Sequence, residues 1–282
     1  MGVRTRIVLY APNQKVAEKA AEAAFKRIAY LEDIMSDYRP TSEIMRLCAS
    51  AGGPPVRVSK ELLFVLKKSV ELSQKSSGAL DVTVGPLVKL WKKARKSGVI
   101  PSQDEIEEAK KLVGWQNIII DERTGTVRLA NRGVQIDLGG IAKGYACDEA
   151  MRILKRYNIN SALIEMGGDV LVSNPPPGKK GWEIEIANSE PQHSRIVLSN
   201  CAISSSGDTQ QFVEINGKRY SHIVDPRTGL GLTNRIAVTV ISPSGIISDG
   251  LATAVSVLGK EKGCALASTF PATSVYVRNV SD

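Results

Sequence analysis

Apolar residues along the chain recur at helical spacing in some stretches and alternate with polar ones in others. Ala17, Ala20, Ala21, Ala24, Ile28, Leu31 and Met35 fall three and four apart behind Asn13. That predicts a long amphipathic helix capped by Asn13, after an opening strand over 4–10. Pro40-Thr41-Ser42 marks a turn, a short helix follows over 43–48, and Gly52-Gly53-Pro54-Pro55 is a loop. Ser59 caps a helix to about residue 77, with Gly78 as its stop. Residues 81–85 read as irregular, and Pro86 starts a helical turn carrying Leu90 and Trp91. Ser102 and Glu105 form a capping box for a helix over 103–113. A hairpin of 117–121 with 126–130 follows, then a strand over 134–137 that runs through Gly139-Gly140 into a helix ending near 157. Further strands are predicted over 161–166, 170–173, 182–187 and 196–198. Asn216-Gly217, between 211–215 and 218–223, is a strong hairpin signal. A strand over 236–242, an alanine-rich helix over 249–258 and a strand over 275–278 complete the chain. Hairpins mixed with helices predict an α+β fold rather than a parallel Rossmann sheet.

Composition narrows the class. At 43% hydrophobic and 23% charged, the 282 residues are those of a folded globular chain, which excludes disorder, collagen and a membrane bundle. The length suits one large domain or two small ones. No apolar run reaches eighteen residues, so no membrane span is expected. The opening Met1-Gly2-Val3-Arg4 lacks the apolar core of a signal peptide. Location then turns on the native start: facing the cell envelope or periplasm if a leader was trimmed, cytoplasmic if Met1 is native.

The net charge of +8 favours anionic partners. Basic clusters such as Lys92-Lys93-Ala94-Arg95-Lys96 are short, however, and aromatics make up 5% of the chain. No nucleic-acid motif is present, so a solvated basic surface is the better reading and no nucleic-acid partner is expected. Four scattered cysteines without a CxxC and only two histidines exclude a thiolate- or imidazole-rich metal site. A metal here must sit mostly on oxygen, which selects a hard ion such as magnesium or calcium.

Four stretches carry candidate chemistry. Asp137-Leu138-Gly139-Gly140-Ile141-Ala142-Lys143-Gly144-Tyr145 reads as strand, glycine turn and helix start. Its glycines admit a ligand close to the backbone, the helix N–H groups favour an anion, and Lys143 adds a full positive charge. The spacing is not that of a Walker A loop, and a plain tight turn fits equally well. Glu165-Met166-Gly167-Gly168-Asp169 reads better as a simple turn than as a ligand loop. His222, ahead of Asp225-Pro226-Arg227-Thr228-Gly229, is either a general base or a structural histidine. Asp249 and Thr253, four apart on a helix, share a face and offer a partial magnesium site. Taken alone, Asp249 as an N-cap with a buried Thr253 is the simpler reading.

Six segments, in order over about 250 residues, resemble the ApbE family, the FAD:protein FMN transferases. Met1-Gly2 is similar to the family's MGT opening, and residues 37–44 (DYRPTSEI) to SxYxPxSEI. Residues 77–87 with Leu90-Trp91 are similar to GGAFDPTVGPL…LW, and residues 137–145 match DLGGIAKGY. Residues 222–229 (HIVDPRTG) match HIIDPRTG, and residues 249–253 (DGLAT) match ADALAT.

The resemblance implies a single domain over 1–282, T-fold-like, with mixed or antiparallel sheets, packed helices, and FAD and a metal between two α+β lobes. It implies magnesium-dependent transfer of FMN from FAD to a Thr or Ser of a target flavoprotein, a redox-complex subunit, as a phosphoester with release of AMP. It places Asp249, Thr253 and the Ala142 carbonyl on the metal. Asp137, Gly139, Gly140 and Lys143 would face the FAD pyrophosphate side, and Met1, Tyr38, Ala79, Leu80, Asp81 and Ile223 would line the FAD pocket. His222 becomes the base for the acceptor hydroxyl. The chain departs from the family at Cys48, where an asparagine is usual, at Leu80 in place of an aromatic, and at Val82 in place of a proline. These departures keep two alternatives open: a non-catalytic FAD-binding protein, and a FAD pyrophosphatase yielding FMN and AMP.

Overall fold

The computed structural model describes residues 2–186, 195–207 and 212–280. Its first half runs β1 (Thr5–Tyr10), α1 (Gln14–Met35), α2 (Glu43–Ala49), β2 (Val56–Arg57), α3 (Lys60–Lys75), α4 (Gly85–Ser97), α5 (Gln103–Lys110), β3 (Ile118–Asp121) and β4 (Thr126–Leu129). The second half runs α6 (Ala142–Arg156), β5 (Ser161–Met166), β6 (Asp169–Val172), β7 (Trp182–Glu185), β8 (Arg195–Leu198), β9 (Cys201–Gly207), β10 (Phe212–Ile215), β11 (Lys218–Ser221), β12 (Ile236–Ser242), α7 (Gly245–Leu258), α8 (Lys260–Ala267) and β13 (Ser274–Asn279). The fold is α+β, and its strand ladders are antiparallel.

Helix starts follow the caps read from sequence. Asn13 and Ser59 each accept a backbone N–H three residues on, and both halves of the Ser102–Glu105 capping box form; Ser42, expected only as part of a turn, caps α2 in the same way. The large sheet has the order β1-β5-β6-β9-β12-β13. Strand side chains alternate between faces, so Ala162 and Ile164 of β5 enter the main core while Leu163 enters a second cluster with Val172, Trp182, Ile184 and Ile203. The main core lies where α6 packs between α1 and α7 over the sheet, with Leu31, Leu154 and Leu251 fully buried. Each such leucine contributes about 2 kcal/mol of hydrophobic stabilisation. A smaller core joins α4 and α5 to β11, through Leu87, Trp91, Ile106, Tyr220 and Val224.

Several expected elements differ. Residues 134–137 are not a strand: only an isolated bridge between Val84 and Gln135 forms, and the Asp137 N–H is spent on the Val82 carbonyl. The last long helix begins at Gly245, four residues before the expected start, so Asp249 lies inside it and is not its N-cap. Pro86 opens a full helix, α4, and not a single turn. Strand β9 and helix α8 were not anticipated. The expected strands over 182–187 and 211–215 extend, at Ala187 and Gln211, outside the described residues.

Candidate active site

Two helix starts meet at the centre of the molecule. A Cβ on Gly144 of α6 would lie 2.0 Å from the Gly245 carbonyl oxygen of α7, so only glycine permits this crossing. Each helix supplies the carboxylate that caps the other. Asp148 of α6 accepts from the Gly245 and Ile246 N–H groups at 2.7 and 2.9 Å and from the Ser244 hydroxyl at 3.0 Å. Asp249 of α7 accepts from the Gly144 N–H at 3.0 Å. Caps of this kind satisfy N–H groups that have no partner within their own helix.

The Asp249 end carries further charge. Lys143 Nζ lies 3.2 and 3.3 Å from the two Asp249 oxygens and 3.2 Å from Asp169 Oδ2, and donates to the Gly139 carbonyl at 2.9 Å. Asp169 reaches the cluster from the start of β6, immediately after a turn in which Gly167 and Gly168 have positive φ. Its Oδ2 is buried without an aligned hydrogen bond among the described residues, which leaves the Lys143 ion pair as its compensation. Burial and the neighbouring Asp249 carboxylate push the Asp169 carboxyl above the ordinary range. Burial acts to lower Lys143, but the two carboxylates outweigh it and hold the side chain as an ammonium. Thr253, one turn beyond Asp249, faces the glycine loop: a Cβ on Gly140 would lie 2.8 Å from its hydroxyl oxygen. Gly139 N–H donates to Asp137 Oδ1 at 2.8 Å, and burial with nearby Asp37 raises the Asp137 carboxyl.

The structure therefore brings Asp137, Gly139, Gly140, Ala142, Lys143, Asp249 and Thr253 together, with Ala142 the first residue of α6. Tyr38 joins the rim. Its ring is 72% exposed, Lys92 Nζ sits 4.4 Å from the ring centre, and Lys92 also pairs with Asp37 at 2.9 Å. An exposed tyrosine beside a cleft offers a stacking surface for a planar ring. Ala79 and Ile223, the residue after half-buried His222, pack together on Val257, one turn beyond Thr253. Leu80 is buried in the main core. Asp81 is turned inward: it accepts from the Thr83 N–H and hydroxyl at 2.9 and 2.6 Å and from the Trp115 N–H at 2.7 Å. Its contribution is to fix the 79–86 loop. Met1 lies outside the described residues.

The turn after His222 is built for rigidity. Asp225 holds Arg227 through two bonds of 2.9 and 2.8 Å, and Trp91 of α4 donates to the Gly229 carbonyl at 2.8 Å. Cys48 accepts the Ile136 N–H at 3.2 Å, and burial raises its thiol. Sequence reasoning missed Asp148 and took Asp169 for part of a simple turn. The signal for Asp148 was available: Gly144…Asp148 and Gly245…Asp249 are the same GxxxD spacing. Among the described residues, no group of three or more His, Cys, Asp and Glu side chains could hold a metal. The oxygen donors converging here are instead mixed: two carboxylates, a threonine hydroxyl and loop carbonyls. This set, in which Asp169 Oδ2 is held by the Lys143 ion pair alone, suits a hard divalent ion.

Comparison with known proteins decides the family. The model of the ApbE family matches residues 1–277. The chain belongs to the ApbE family. Among its ApbE relatives, the FAD:protein FMN transferase of Treponema pallidum is 32% identical, over 96% of this chain and 80% of that protein. The Vibrio cholerae protein of the same name is 36% identical, over 84% and 72%. The solved flavin transferase ApbE from Vibrio cholerae superposes with a TM-score of 0.86 at 31% identity, covering 98% of this chain and 89% of that one. The ApbE protein from Thermotoga maritima gives 0.87 at 30%, covering 98% and 91%. The ApbE fold accounts for the antiparallel sheets and packed helices expected from sequence. Among the described residues, no helix is long and apolar enough to cross a membrane.

Proposed function

We propose that this chain is an FAD:protein FMN transferase that uses FAD as substrate and a Thr or Ser hydroxyl of a target flavoprotein as acceptor, within a single domain over 1–282 that holds FAD and a metal between two α+β lobes. The reading rests above all on the cluster at the α6 start, where Lys143, Asp249 and Thr253 meet a glycine loop. A helix N-terminus with a buried ammonium binds a pyrophosphate, and Gly139 and Gly140 let its oxygens approach the backbone. Asp249, Thr253 and the Ala142 carbonyl would hold magnesium, with Asp169 beside them. Magnesium bound there would neutralise charge on the transferred and leaving phosphoryl oxygens.

In the transfer, the acceptor hydroxyl oxygen forms a bond to the FMN-side phosphorus, and the bond from that phosphorus to the bridging oxygen breaks. AMP leaves with the bridging oxygen, and the hydroxyl proton passes to His222. The Asp225–Arg227 pair and the Trp91 bond hold the His222 loop in place, and Tyr38 and Ile223 flank the flavin. Cys48 preserves a hydrogen-bond acceptor for Ile136, so the departure at this position leaves the loop anchored.

One incubation tests the reading: protein, FAD, magnesium and an acceptor domain bearing an Asp-Gly-Ala-Thr motif, followed by intact mass and AMP. The expected result is one FMN added to the acceptor, AMP released in equal amount, and both lost with EDTA. Free FMN and AMP without labelling would establish a pyrophosphatase instead. FAD bound unchanged would establish a binding protein.

A further inference from the structure

Helix α4 divides its residues by charge. Leu87, Trp91 and Ala94 face the smaller core, while Lys89, Lys92, Lys93 and Lys96 fall at i, i+3, i+4 and i+7 on the other side and form one open surface with Ser97. Residues 89–96 hold five positive charges, counting Arg95, and α4 has no Asp or Glu. The chain's net charge is +8, so this one helix carries a large part of the excess.

The neighbouring helix α5 carries Asp104, Glu105, Glu107 and Glu108, and among the described residues only Glu105 forms an ion pair with the row. Glu105 is occupied by its capping box and reaches Lys93 only at 3.6 Å. Glu107 bonds Gln103 and Lys110, and Glu108 pairs with Lys111. Lys89 and Lys96 have no acidic partner among the described residues. The row also has a fixed position relative to the site. Lys92 stands at the rim beside Tyr38 and Asp37, and Trp91 on the opposite face ties α4 to the His222 loop.

We infer that the lysine face of α4 docks an acidic segment of the acceptor protein and delivers its hydroxyl to the adjacent site; this rests on the transferase reading above. The row from Lys89 to Lys96 is about 10 Å long by helical rise, longer than a single phosphate needs and matched to several residues of peptide. Its outer lysines are exposed, so they act on approach and orientation and not on the bonds that change. Charges placed this way govern encounter and partner choice more than the chemical step.

The test uses two Thr-containing acceptor peptides, one flanked by four glutamates and one by four glutamines, with the full chain, FAD and magnesium. The glutamate peptide should have a KM about tenfold lower, with kcat within about twofold. The variant Lys89→Glu/Lys93→Glu/Lys96→Glu should abolish that preference and leave the KM for FAD unchanged. Fluorescence anisotropy of the same labelled peptides reads binding without chemistry, and should show the same preference and its loss at high salt. Equal KM and equal anisotropy for both peptides would overturn the proposal. So would binding to vesicles of 30% phosphatidylserine, lost in the variant, without any peptide preference. A wild-type chain that binds the glutamate peptide but transfers no FMN to any acceptor overturns the transferase reading and leaves the acidic dock standing.

Discussion

The two helix starts that meet at Gly144 and Gly245 use the same device to different ends. At the α7 start, Asp148 receives three hydrogen bonds and its oxygens are spent on them. At the α6 start, Asp249 also receives three, but only one comes from the backbone; the other two come from the Lys143 ammonium, which it shares with Asp169. A carboxylate held by helix N–H groups and a capping hydroxyl is a structural part. One of the same type, at the same spacing from its glycine but held mainly by a mobile charged side chain, can exchange that partner for a metal or a reacting group.

Substitution should separate these roles. The largest effect is expected from Asp249→Asn, which keeps an oxygen for the Gly144 N–H but removes the charge. Transfer should fall at least ~1000-fold, equivalent to about 4 kcal/mol, with little change in melting temperature. Near wild-type AMP release with magnesium would refute the assigned role. Gly144→Ala should come next. Its methyl group has no room against the Gly245 carbonyl, and prising the helices apart should cost about 3 kcal/mol, read by denaturant unfolding. An unaltered unfolding midpoint would mean the crossing is looser than described.

Asp148→Ala should cost about 2 kcal/mol of stability through the lost cap, while transfer per folded molecule stays close to normal. A specific loss of transfer without loss of stability would place Asp148 in the chemistry and erase the contrast. The same residue gives a pH prediction. Burial raises Asp148 above its ordinary value of 3.8, so the folded chain keeps this proton where the unfolded chain has released it. Its contribution to stability is complete below about 3.8 and declines as pH rises through the folded value. Asp148→Asn should therefore flatten the dependence of melting temperature on pH in that window; an unchanged slope would discount the carboxyl. The smallest effect is expected from Cys48→Asn, which exchanges one acceptor for another at the Ile136 N–H. Stability should change by less than ~1 kcal/mol, and FAD affinity by a few-fold at most, measured by flavin fluorescence.

Much of the fold was legible where local chemistry decides it. The caps at Asn13, Ser59 and Ser102 and the Asn216-Gly217 hairpin formed as expected, because each depends on residues within a few positions. Failures came where distant partners decide. Strand β9 escaped because Ser204, Ser205 and Ser206 break the apolar alternation, yet Ser204 is buried and bonds Ser248 at 2.8 Å across to α7. Residues 134–137 alternate like a strand, but their backbone is claimed by Val82, Val84 and Cys48. Asp169 read as part of a turn because its partner Lys143 lies 26 positions away in the chain. The Asp249–Thr253 pair was visible from its spacing, whereas the reciprocal caps needed both helices in view.

The reciprocal caps also constrain how such a protein could evolve. Asp249 serves the site and the fold together, since its side chain holds the first turn of α6. A lineage that gave up flavin transfer would still lose stability by replacing it with a side chain that cannot accept the Gly144 N–H. Retention of an acceptor there, aspartate or asparagine, would therefore record the need to keep two helices joined, and would not by itself testify that the descendant is still an enzyme.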